Sequence, residues 1–95
     1  MLLVVLGSGE EGERDALLEM IGRGTLLLLV HGACKFAADE GFREEARRRG
    51  VKLFALREDL EEGGLLDQKI DCVEVVDYDG WVRLLEGCES VFSWL

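Results

Sequence analysis

Two groups in the chain have the side chains and spacing for chemistry. The first is His31-Gly32-Ala33-Cys34-Lys35, where a thiol lies three residues after the only histidine and beside a lysine. Placed in the first turn of a helix, Cys34 would feel the positive end of the helix and the Lys35 charge. Both lower a thiol's pKa and favour the thiolate nucleophile. Cys34 is therefore the candidate reactive residue, with His31 as its thiolate neighbour. The alternative is that Cys34 is a small residue packed in that turn, and exposure decides between the two.

The second group is Gly7-Ser8-Gly9-Glu10-Glu11-Gly12. It matches G-x-G-x-x-G between a strand and a helix, the dinucleotide fingerprint. That motif aims backbone N–H groups at a pyrophosphate, whereas Glu10, Glu11 and Glu13 crowd the same helix start. These carboxylates suit the positive end of the helix without any ligand. His31 also stands where a ribose-binding acid would be expected.

Other features have quieter readings. Cys72 and Cys88 are taken as packing residues. His31, Cys34 and a further cysteine are zinc-type ligands without a recognised zinc spacing, so no metal and no cofactor are expected. Arg43, Arg47, Arg48 and Arg49 fit the C-terminal end of a helix, where cations oppose the dipole. No serine–aspartate pair accompanies His31 at a spacing that suggests a triad. Phe92 and Trp94 alternate along an edge strand and need cover, which a subunit interface would supply.

These residues are held by alternating elements. Leu2–Leu6, Thr25–Val30, Val51–Leu56 and Val73–Val76 read as apolar strands, and Val91–Trp94 as a terminal edge strand. Helices are expected from about Glu13 to Ile21, from about Ala33 to Arg49 with an interruption at Gly41, over Glu58–Glu62, and over Asp79–Leu85. In the last helix Trp81, Leu84 and Leu85 are spaced to face inward, and Asp77 and Asp79 to cap and charge its start. Strands apolar throughout and separated by helices predict a three-layer α/β/α domain with a mostly parallel sheet of four to five strands.

The chain has 95 residues, enough for one domain spanning 1–95. Its net charge is −9, which disfavours direct, tight binding to nucleic acid or anionic membrane. An odd count of three cysteines fits reduced thiols better than a disulfide framework. The apolar runs are too short to span a bilayer and no basic segment precedes the first one, so a cytoplasmic location is expected.

The run Val75-Val76-Asp77-Tyr78-Asp79-Gly80-Trp81-Val82-Arg83-Leu84, followed by Ser93-Trp94, resembles the DsrH/TusB family of the DsrE/DsrF-like sulfur-relay superfamily. Val51–Leu65 (VKLFALREDLEEGGL) and Thr25–Ala37 (TLLLLVHGACKFA) are similar to two further family segments. The resemblance implies a DsrE/F-like fold and an accessory subunit of a sulfurtransferase complex, non-catalytic or auxiliary, with Cys34 as an optional persulfide acceptor. Such complexes pass persulfide sulfur towards 2-thiouridine at the tRNA wobble position or into related sulfur trafficking. It implies sister subunits of DsrE/DsrF (TusC/TusD) type, or a homodimer, with Tyr78, Trp81, Phe92 and Trp94 as interface residues. The chain departs from the family pattern at His31, where an aspartate is usual, and at Gly63, where an arginine is. It has Glu19 and Met20 where the DsrH branch often has a cysteine, so that thiol does not carry over. Two other readings stay open: a nucleotide or small-molecule module using Gly7–Gly12, and a homo-oligomeric interaction domain without chemistry.

Overall fold

The computed structural model describes residues 1–68 and 70–94. Five strands, β1 (Leu2–Leu6), β2 (Leu26–Leu29), β3 (Lys52–Leu56), β4 (Val73–Val76) and β5 (Ser90–Trp94), form one sheet in the order β4-β3-β2-β1-β5. Every pairing is parallel. Four helices connect them: α1 (Glu11–Met20), α2 (Glu40–Arg48), α3 (Arg57–Glu62) and α4 (Tyr78–Gly87), with a 3-10 segment at His31–Ala38 before α2. The α/β class and the parallel sheet are those the alternation predicts.

Strand alternation sends side chains to two faces. On one, Val4, Leu6, Leu27, Leu29, Leu53 and Ala55 pack with Leu17, Phe36, Phe42, Ala46 and Leu60 from the connections between β1 and β4. On the other, Leu3, Val5, Leu28, Val30, Phe54 and Leu56 pack with Trp81, Leu84 and Cys88. That second face is covered by α4 alone, so the three layers are unequal. Coverage stops at the sheet margins: Leu3 on β1 is fully buried, whereas its register partner Val91 on β5 is 45% exposed.

Two details correct the sequence reading. The helical run after β2 breaks at Asp39, not at Gly41. Asp39 closes the 3-10 segment and caps α2, its Oδ1 accepting the Phe42 N–H at 3.2 Å; an aspartate side chain competes for backbone donors and so marks a boundary. In α4, Trp81 and Leu84 face the sheet, but Leu85 stays 38% exposed. At 100° per residue Leu85 lies beyond Trp81 on the helix flank.

Candidate functional site

In a parallel sheet all strands end on the same side, so the loops after β1, β2, β3 and β4 gather there, and binding residues concentrate at such ends. This edge brings together Gly7–Gly12, His31–Lys35, Asp59 and Asp77.

The two glycine loops press on each other. A Cβ at Gly9 would lie 3.2 Å from the Gly32 carbonyl oxygen and 3.3 Å from Lys35 Cε. A Cβ at Gly32 would lie 3.4 Å from the Gly9 nitrogen and 3.6 Å from the Gly7 oxygen. The glycine spacing is thus explained by close backbone approach between neighbouring loops. At the start of α1, Glu10 and Glu11 are exposed, and the Glu10 N–H goes to Ser8 Oγ at 3.2 Å. A phosphate there would meet carboxylates.

His31 begins the 3-10 segment with φ of 51°, a left-handed conformation unusual outside glycine. Its backbone N–H donates to Asp59 Oδ2 at 2.7 Å, which pins that conformation from α3. The imidazole is exposed, with Nδ1 3.8 Å from the same oxygen. His31, Gly32, Asp59, Glu62 and Gly63 line an open cleft of about 330 Å³.

Cys34 is 2% exposed. Its Sγ donates to the Leu29 carbonyl at 3.2 Å and lies 3.8 Å from that of Leu56, between the ends of β2 and β3. Burial, and then the Asp59 carboxylate, push its pKa up to about 11. The expected lowering is corrected: desolvation outweighs any gain from the helix end and Lys35. Cys34 and His31 belong to one segment, yet the thiol is turned into the core while the imidazole faces solvent. The geometry matches the packing reading of Cys34.

The exposed thiol is Cys72, at φ 66° just before β4. It shares a shallow depression of about 320 Å³ with Glu40, Arg43, Glu44, Arg47 and Asp71. Its assignment as a packing residue is therefore corrected; Cys88 does pack, under α4. A left-handed non-glycine residue is not signalled by composition, which is why the sequence did not single out Cys72. The nearby arginines are held within the fold. Arg47 and Arg48 pair with Glu44 and Glu45, Arg49 with Glu45, and Arg43 donates to the Ala37 carbonyl at 2.8 Å. The Arg47 hydrogen bond holds the Glu44 carboxyl below its usual range. Among the described residues no cluster of three or more histidine, cysteine or acidic side chains is placed to hold a metal ion.

The aromatic candidates separate onto two faces. Tyr78, 53% exposed, stacks on Trp81 at 6.2 Å, and the Trp81 ring packs on the sheet. Phe92, 48% exposed, meets Trp94 edge-on at 6.3 Å on the opposite face, where Trp94 packs against the main core. No helix among the described residues is long and apolar enough to cross a membrane.

Comparison with known proteins gives a consistent result. Residues 8–91 match the family model described as DsrH like protein. Protein TusB of Enterobacter sp. (strain 638) is 32% identical over 95 residues, covering 99% of this chain and 100% of that protein. Protein TusB of Shigella flexneri and of Escherichia coli (strain K12) are each 34% identical over 80 residues, covering 83% of this chain and 84% of theirs. The solved structure of the ychN protein from E. coli superposes with a TM-score of 0.78, covering 98% of this chain and 97% of that one at 11% identity, a likeness of fold.

Proposed function

The chain belongs to the DsrH-like family, and from that premise we propose that it serves as an accessory subunit of a sulfur-relay complex. The observation that carries this reading is the family match across residues 8–91 in a chain whose Cys34 thiol is buried and protonated. At neutral pH a thiol of pKa about 11 is thiolate in roughly one molecule in ten thousand. Sulfur transfer needs a thiolate, which Cys34 does not supply in this fold; in this reading the carrying cysteine belongs to a partner, and this subunit supports it as one folded domain.

In the finer reading the partners are sister subunits of DsrE/DsrF type and the sulfur is bound for the wobble uridine of tRNA or a related acceptor. Contact with the RNA falls to those partners, because a chain of net charge −9 repels it. A cytoplasmic site of action accords with three free thiols. For Cys34 to accept sulfur, the 3-10 segment would have to open and release its Leu29 contact.

Two experiments test this. Co-expression with DsrE/DsrF-type sisters from the same genome should yield a complex that withstands purification; failure with every sister removes the accessory role. Incubation with a persulfide donor, read by intact mass, should leave Cys34 without added sulfur, so that wild type and Cys34→Ser gain the same mass. An adduct present on wild type and lost in Cys34→Ser would make Cys34 a carrier after all.

A further inference from the structure

The chain passes through left-handed backbone at Gly24, Gly50 and Gly64, where there is no Cβ to strain. His31 takes the same region at φ 51° with a full side chain, which costs stability unless something offsets it. The offset comes from another element. The His31 N–H donates to Asp59 Oδ2 at 2.7 Å, across 28 positions of sequence. Leu60, fully buried, fixes α3 beside that carboxylate. An aspartate in the first turn of a helix needs no partner beyond the helix end itself. Here its side chain is 11% exposed and is turned onto a residue of a different segment.

That segment is the one that buries Cys34. Its second half is anchored by Phe36 and Ala37, both packed in the main core. Its entry is held differently. Val30 supplies no side-chain cap, and His31 and Gly32 are exposed, so the bond from Asp59 takes the place of the cap. A 3-10 turn has poorer internal hydrogen bonds than an α-helix and gains more from such an outside tie. The same carboxylate also disfavours the Cys34 thiolate by its charge. One group thus acts on both the position and the ionisation of this thiol.

We infer that Asp59 is a positioning residue: by clasping the His31 N–H it holds the entry of the 3-10 segment closed over Cys34 and keeps that thiol out of sulfur exchange. With the entry open, Cys34, its proton lost to solvent, would attack the outer sulfur of a donor R–S–SH. It would become Cys34–S–SH and release R–S⁻, and a carrier on a partner would lose its sulfur to a dead end. This benefit to the relay rests on the accessory-subunit reading; the clasp itself does not.

The test is the rate at which iodoacetamide alkylates Cys34 in the folded full chain, read by peptide mass. Asp59→Asn keeps an oxygen acceptor and removes the charge, whereas Asp59→Ala removes both, so their ratio isolates the clasp. Asp59→Ala should react about tenfold faster than Asp59→Asn, the effect of releasing one left-handed residue. Its rate should hardly change at low urea, because a local opening exposes little surface. His31→Gly removes the left-handed penalty, so in the Asp59→Ala background it should return most of the protection. If Asp59→Ala fails to fold, His31→Gly alone decides, and it should slow alkylation of Cys34 several-fold relative to wild type. Equal rates for Asp59→Ala and Asp59→Asn would overturn the inference. So would an increase that climbs with urea as steeply as global unfolding, no rescue by His31→Gly, or, in the second case, no slowing. Alkylation needs neither a sulfur donor nor a sister subunit, so the accessory-subunit reading stands or falls on its own tests.

Discussion

Cys34 shows how far local sequence signals reach at the scale of one residue. A thiol near a helix start and a lysine is a reasonable nucleophile until its depth is known. Desolvation then reverses the sign of the shift, because burial favours the neutral thiol. Native protein treated with a thiol reagent should lose Cys72 first, and Cys34 should react only on denaturation; equal rates at both positions would contradict the buried assignment. Linkage gives a second check. Since the Cys34 pKa rises on folding from 9.0 to about 11, its contribution is fully present below pH 9 and is lost as pH climbs towards 11. The loss should amount to about 2–3 kcal/mol. Denaturant titrations from pH 8 upward should show a steeper decline for wild type than for Cys34→Ala.

At the scale of the element, α4 carries the family run and contains no nucleophile or base in a reactive setting. Its start is fixed by Asp77, whose Oδ1 accepts the Gly80 N–H at 2.8 Å. Asp77→Ala should cost about 1 kcal/mol in chemical denaturation, the usual loss for such a cap. Gly80 is a more specific test, because alanine is the better helix former. A Cβ at Gly80 would lie 2.9 Å from Val76 Cβ, so close packing of α4 on β4 opposes that preference. Gly80→Ala should therefore destabilise the protein, whereas Gly12→Ala, with open space around it, should not.

For the whole molecule the decisive feature is the inequality of the two layers. Three connections pack one face of the sheet and α4 alone packs the other, so the second cluster has little redundancy. Leu28, fully buried at the centre of that cluster, should cost about 2–5 kcal/mol on change to alanine. The same inequality leaves apolar surface on both sides of β5, where assembly is expected. An accessory subunit fits such a design: stable enough to fold, with its exposed apolar surface reserved for other chains.

The succession of strands and helices, the parallel sheet and the family run at Val75–Leu84 were all legible in the sequence. Each depends on apolar periodicity, on glycine and aspartate at element ends, or on local residue order, which the chain carries wherever it lies. Depth is a different kind of property. Cys34 is silenced by burial and then by the carboxylate of Asp59, brought up from a different element, α3. Gly9 is needed because the loop holding Gly32 presses against it. Cys72 is exposed, in a left-handed conformation that its neighbours in sequence do not announce. Whether a thiol ionises, or a glycine makes room for a phosphate or for backbone, depends on which distant atoms exclude water around it. Only the tertiary structure decided that.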